Sequence, residues 1–251
     1  MTQEDIVWDI RPDLPAKAPR LLLLSHAGGS AHAYLEWEPL LPSHIGLLIG
    51  QYPGRGARYA EPLPAGMPDL VDPIHEAVRD IPRLHVLGHS MGALVAFELA
   101  LRREREGRPL SGLILSAARG AQMPNPRPVL PAGLSDEELV TELKVRGGTP
   151  DEILDDPDMR RMVLRVMRAD FAVDDDYRYA GPMPALSCPL TVLGGEDDPV
   201  VPTAELKAWH QLTSGPGDTL MFPGGHFYFS DDLETVLAAV ARILPADRRK
   251  P

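Results

Sequence analysis

Three short stretches of this chain bring together residue types that can break an acyl bond: Gly88-His89-Ser90-Met91-Gly92, Gly195-Glu196-Asp197-Asp198-Pro199 and Pro223-Gly224-Gly225-His226-Phe227. The first fits Gly-x-Ser-x-Gly, a sharp strand-to-helix turn that lifts a serine hydroxyl above the end of a sheet. A hydroxyl is a poor nucleophile until an adjacent base takes its proton, so a histidine oriented by a carboxylate must come from elsewhere in the chain. His226 is the candidate base. Asp198 and Asp197 compete for the carboxylate; Asp198 is preferred because it stands immediately before Pro199 and four residues before Pro202. The chain order Ser, Asp, His is the one expected when a nucleophile elbow opens the set. Acyl transfer also needs donors for the charge that develops on the carbonyl oxygen. The N–H groups of Met91 and of Ala27, in the glycine-rich turn His26-Ala27-Gly28-Gly29-Ser30, are assigned to that oxyanion hole, with Gly28 as understudy.

Taken alone the elbow pentapeptide is weak, because glycine and serine also mark ordinary turns. Its flanks give it weight. The apolar run Leu84-His85-Val86-Leu87 precedes it, and Ala93, Leu94, Ala96, Phe97 and Ala100 then supply the apolar face of a helix. Arg102, Arg103 and Arg105 suit that helix's negative end, and Gly107 can stop it. His89 reads as packing. His44, His75, His85 and His210 lack metal-like spacing, and His26 and His32 have no third partner, so no metal is expected. A phosphate-binding role for Gly28-Gly29 is weak because Gly-x-Gly-x-x-Gly is absent.

These residues need a scaffold. Apolar runs recur at Leu21 to Ser25, Ile45 to Ile49, Leu84 to Gly88, Leu113 to Ser116, Leu190 to Gly194 and Thr219 to Phe222, separated by helical patterns. That alternation predicts a mostly parallel sheet with helices on both faces, the ligand site lying at the carboxyl ends of its strands. From about residue 120 to 181 the strand signal stops, which predicts a helical cap, or lid, inserted into one domain spanning 1–251. Ser135 with Glu138 forms a capping box for its first helix, which runs to Gly147-Gly148. A second helix starts near Asp158, with Met159, Met162, Val163, Val166 and Met167 on one side; some of these methionines are expected in the core, others facing a substrate channel.

Composition narrows the partners. With 251 residues, 44% of them hydrophobic and 24% charged, the chain can bury a sizeable core. A net charge of −11 argues against nucleic acid or an anionic membrane as partner. Its N-terminus has neither a basic start nor an apolar stretch, so a cytoplasmic location is expected. Cys188 is the only cysteine, which excludes an internal disulfide and reads as a small buried apolar residue.

The chain resembles the type II thioesterases that accompany polyketide and nonribosomal peptide synthases. The likeness spans almost the whole sequence. It is carried by His26 to Ser30, Pro53-Gly54-Arg55-Gly56, Gly88 to Gly92, Leu134-Ser135-Asp136-Glu137-Glu138-Leu139, Gly147-Gly148-Thr149-Pro150, Arg168-Ala169-Asp170-Phe171, Tyr177-Arg178-Tyr179 and Pro223 to Phe227. The resemblance implies an α/β-hydrolase fold and an editing activity that removes stalled or wrong acyl groups from phosphopantetheinyl carrier proteins. Acyl or peptidyl carrier domains would then be the partners, met in trans by a monomer that needs no cofactor of its own. Ala57-Arg58 departs from the acidic residue that follows the Pro-Gly-Arg turn in relatives. Docking an acidic carrier would need a local basic spot, for which Arg55, Arg58, Arg119 and Arg127 are candidates, the alternative being that they are ordinary solvated surface arginines. The rival readings are a general carboxylic-ester hydrolase, a non-catalytic sensor built on the same fold, and an acyl-transferring or cyclising enzyme.

Overall fold

The structure is a computed structural model that describes residues 6–124 and 133–245. Seven strands form one sheet: β1 (Val7–Asp9), β2 (Arg20–Leu24), β3 (Gly46–Gly50), β4 (Leu84–His89), β5 (Gly112–Ser116), β6 (Leu190–Gly195) and β7 (Gly217–Phe222). Their spatial order is β1-β3-β2-β4-β5-β6-β7. All pairings are parallel except that of β1 with β3. The six apolar runs of the sequence are the six parallel strands. β1 has no counterpart among them, because three residues are too few for a periodicity to register.

Successive side chains of a strand point to opposite faces of its sheet, and β2 shows what that does here. Leu22 and Leu24 join Val86 under the helices α1 (Met67–Val78) and α2 (Met91–Arg105). Leu21 and Leu23 join Leu47, Ile49 and Leu87 on the other face, covered by the 3-10 segment Ala31–Leu40 and by α7 (Leu233–Ile243). From Leu21 to Leu24 the strand is therefore apolar at every position rather than alternating, as a sheet covered on both sides requires. Each such leucine is worth about 1.5–3 kcal/mol of burial.

The arginines at the end of α2 do something the sequence did not foresee. Arg103, almost fully buried, donates to the carbonyls of Val78, Arg79 and Ile81, so it closes the C-terminal end of α1 instead of its own helix. Arg102 pairs with Asp72 of α1. Both elements are thereby locked side by side behind the sheet.

Between β5 and β6 the described residues contain three helices, α3 (Asp136–Arg146), α4 (Asp151–Asp155) and α5 (Pro157–Asp176), and no strand. The short α4 was not expected from the sequence. Ser135 and Glu138 form the reciprocal capping box at the start of α3, while Asp156 accepts the N–H groups of Asp158 and Met159 at the start of α5. Arg168 ties α5 to Asp136, and Tyr177, just past the end of α5, donates to Glu98 of α2 at 2.6 Å. α6 (Thr203–Lys207) follows β6. No helix among the described residues is long and apolar enough to cross a membrane.

Three histidines largely withdrawn from water, His85, His26 and His89, make this fold sensitive to acid. Burial, aided by the nearby Arg83 charge, pulls His85 of β4 down to about 4. Burial, then proximity to His226 and Arg55, pulls His26 down to about 3. His89 is held well below its ordinary value by burial and by its histidine neighbours. A histidine whose folded pKa lies below its unfolded one binds its proton more readily when unfolded, so stability is full above about pH 6.5 and declines as pH falls toward the folded value. Each group contributes a slope of up to about 1.4 kcal/mol per pH unit in that window. Urea midpoints measured from pH 7 to pH 4.5 are expected to fall, and His85→Gln, which lies away from the active end of the sheet, is expected to flatten the slope.

Candidate active site

The turn after β4 sets the site. Ser90 has φ 55° and ψ −121°, a strained conformation for a residue with a side chain, and it sits where β4 hands over to α2. That turn is possible only because glycines flank it. A Cβ on Gly88 would lie 2.0 Å from the carbonyl oxygen of Gly92, and one on Gly92 would lie 2.2 Å from that of Leu24. Ser90 N–H donates to Ser116 at the end of β5, which fixes the turn from the side. Ala117, next along, is the second non-glycine residue with positive φ among the described residues, and it faces the same cleft.

The loops after β6 and β7 complete the constellation. Asp197 N–H donates to the carbonyl of Gly224, and a Cβ on Gly195 would lie 2.1 Å from the carbonyl oxygen of Gly225, so the glycine pairs in both loops let two backbones touch. This brings His226 Nε2 to 3.0 Å from Ser90 Oγ and His226 Nδ1 to 2.9 Å from Asp198 Oδ2. With Nδ1–H donating to the carboxylate, Nε2 is left to accept the serine proton. Asp198 Oδ1 in turn accepts the N–H groups of Val200 and Val201, at 2.7 and 3.2 Å. Asp197 is exposed. The geometry thus separates the two aspartates that the sequence left in competition.

His89 lies beneath this arrangement, with Nδ1 bonded to Ser116 Oγ and, through it, to the Tyr228 hydroxyl. Its ring centroid is 5.3 Å from that of His226. Since His89 and His26 both stay neutral, neither competes electrostatically with a positive charge on His226. Ala27 N–H and Met91 N–H have no acceptor among the described residues, as donors reserved for an oxyanion should. Gly28 N–H is not available as their understudy: it donates to Asp170 Oδ2 at 2.7 Å.

Two clefts meet at Ser90. One, of about 470 Å³ including its open mouth, runs past Leu94, Arg119 and Tyr177. The other, of about 300 Å³ again including its open mouth, is walled by Ala27, Leu143, Met167, Phe171 and Phe227. Arg146 of α3 borders both, its guanidinium bonded to Glu142 and seated 5.0 Å over the Phe171 ring. Of the methionines of α5, Met167 faces the site while Met159 and Met162 are exposed. Neither Arg146 nor the placement of Phe171 was legible beforehand.

The expected basic docking spot is corrected here. Arg55 and Arg58 are 5% and 4% exposed. Arg55 turns inward to Asp170, and Arg58 binds Glu61 and the carbonyl of Gln51. Buried carboxylates and carbonyls need these donors more than solvent does. Arg119 is half-buried in the cleft wall, and Arg127 lies outside the described residues. Among the described residues no group of three His, Cys, Asp or Glu side chains is placed to hold a metal ion.

A model of the thioesterase domain matches residues 19–244. The chain belongs to the thioesterase domain family. It is 34% identical over 241 residues to the thioesterase PikA5 of Streptomyces venezuelae, covering 94% of this chain and 85% of that one. It is also 34% identical over 246 residues to the linear gramicidin dehydrogenase LgrE of Brevibacillus parabrevis, covering 94% and 92%. Among solved structures, the type II thioesterase BorB from the borrelidin biosynthetic cluster superposes with a TM-score of 0.84 at 36% identity, over 98% of this chain and all of that one. The α/β-hydrolase fold and the resemblance to type II thioesterases are both borne out. A dinucleotide chemistry is not carried over from LgrE, because this thioesterase lacks Gly-x-Gly-x-x-Gly after β2.

Because Asp198 bonds His226 Nδ1 while Asp197 is exposed, Asp198→Asn is expected to lower kcat by about 10⁴-fold, as wrong-tautomer variants of such triads do. Asp197→Asn is expected to stay near wild type. Steady-state hydrolysis of a small thioester by the two variants, beside an inert Ser90→Ala, checks this.

Proposed function

We propose that this chain is an editing thioesterase which hydrolyses stalled or aberrant acyl groups from the phosphopantetheine arm of acyl or peptidyl carrier proteins, acting in the cytoplasm as a monomer and without a cofactor of its own. The observation that carries the reading is the hydrogen-bonded line from Ser90 through His226 to Asp198 at the meeting point of two clefts beneath the lid. Two clefts suit a substrate with two long parts, an acyl group on one side of the carbonyl and a pantetheine arm on the other.

In this mechanism Ser90 Oγ attacks the thioester carbonyl carbon as His226 Nε2 takes the hydroxyl proton. The carbonyl oxygen, now negative, receives the N–H groups of Ala27 and Met91. Collapse of the tetrahedral species breaks the carbon–sulfur bond, and His226 returns its proton to the departing thiolate. A water molecule then gives its proton to Nε2 and attacks the acyl-serine. The second collapse releases the free acid, and the proton returns to Ser90. Asp198 keeps the imidazole oriented throughout and stabilises its positive charge.

The rival ester hydrolase would use the same triad on free esters and would gain nothing from a carrier. Hydrolysis of acyl-phosphopantetheinyl carrier protein is therefore to be compared with that of a p-nitrophenyl ester of the same acyl group. A Ser90-dependent kcat/KM well in favour of the carrier-bound thioester is expected; equal values, or a preference for the ester, would overturn the editing reading.

A further inference from the structure

One buried ion pair has no place in the mechanism as written so far. Asp170 of α5 is fully buried, and Arg55 is nearly so. Arg55 Nη2 donates to Asp170 Oδ1 at 2.6 Å, and Nη1 donates to Oδ2. The same Oδ2 accepts the N–H of Gly28, 142 residues away in sequence. Arg55 is itself braced by the carbonyl of Pro53, in a turn whose glycines, Gly54 and Gly56, have φ of 76° and 52°. A buried pair of this kind is a poor source of net stability, since desolvating both charges offsets much of their attraction. Its value lies in geometry.

That geometry ends on the peptide next to the oxyanion hole. Gly28 has φ 78°, and its N–H belongs to the peptide plane that begins at Ala27. Holding that N–H toward Asp170 fixes the Ala27–Gly28 peptide, and through the backbone dihedrals of Ala27 it constrains the preceding peptide, which carries the Ala27 N–H. One turn before Asp170 on α5, Met167 lies against the Cα of Gly28: a Cβ there would come within 2.3 Å of the Met167 methyl. The loop is thus pinned by charge on one side and by contact on the other, both from the lid.

We propose that Asp170, held by Arg55, is a positioning residue that sets the oxyanion hole, so that the lid determines whether the hole is formed. This inference rests on the reading of Ala27 and Met91 as oxyanion donors. Asp170 does not touch the substrate. Its effect should therefore appear in the transition state and not in substrate affinity, whatever the acyl group or leaving group.

Two variants test it. Asp170→Asn keeps the side-chain volume, and the double variant Arg55→Met/Asp170→Leu replaces the ion pair with apolar groups, a change that buried pairs tolerate in stability. Each is assayed as folded protein, with its melting temperature, on a p-nitrophenyl ester, so that the result does not depend on carrier recognition. A boronic acid that adds to Ser90 serves as tetrahedral analogue. Expected are a fall in kcat of about 10²–10³-fold, the cost of losing one oxyanion donor, a KM within about threefold, and a loss of boronate affinity that parallels the loss of kcat. A folded variant with near-wild-type kcat, or a kcat that falls while boronate affinity is unchanged, would overturn the proposal. Residual turnover in Ser90→Ala would instead indict the proposed catalytic reading itself.

Discussion

Backbone contact at the nucleophile turn constrains everything else in this molecule. Gly88 and Gly92 bring β4, α2 and the end of β2 to within van der Waals distance, and a single methyl group on either glycine would force the three apart. The strain at Ser90 is held because β4 is the middle strand of seven, hydrogen-bonded on both sides and buried on both faces. Placing the nucleophile at the centre of the sheet dictates where its partners stand. Strands to one side, β6 and β7, deliver Asp198 and His226, and β2 on the other side delivers the loop at Ala27 and Gly28.

The helices between β5 and β6 are joined to this frame at several points that are chemically unlike. Tyr177 bonds to α2 through Glu98, Met167 rests on Gly28, and Asp170 reaches both the loop after β2 and the turn after β3. A stripe at positions 167, 170 and 171 on one face of α5 thus covers the reacting centre. Met159 and Met162, nearer the start of α5, are exposed.

Much of this was legible from residue types alone. The six parallel strands announced themselves as apolar runs because a sheet covered on both faces leaves no polar alternation to confuse the signal. Ser90 and His226 were marked by glycine-rich turns just past strand ends, where the chain has little other reason to spend glycine. What escaped the sequence depends on contacts between distant segments. Nothing in Pro53-Gly54-Arg55-Gly56 announces that Arg55 turns inward, and without Asp170 beside it an arginine on a loop reads as a surface charge. Arg103 looked like an ornament of its own helix because its true acceptors, the carbonyls at the end of α1, carry no side-chain signature. Asp197 and Asp198 are chemically identical in one dimension, and only the touching of the loops after β6 and β7 separates them.

The lone cysteine acquires a meaning from the chemistry around it. Cys188 is buried, and that burial raises its thiol pKa to about 12, so it carries essentially no thiolate at neutral pH. Cleavage of a thioester liberates a thiol at every turnover, and mixed disulfides form only through a thiolate with access to its partner. A catalyst that works among free thiols while exposing none of its own among the described residues has no redox side reaction with its product.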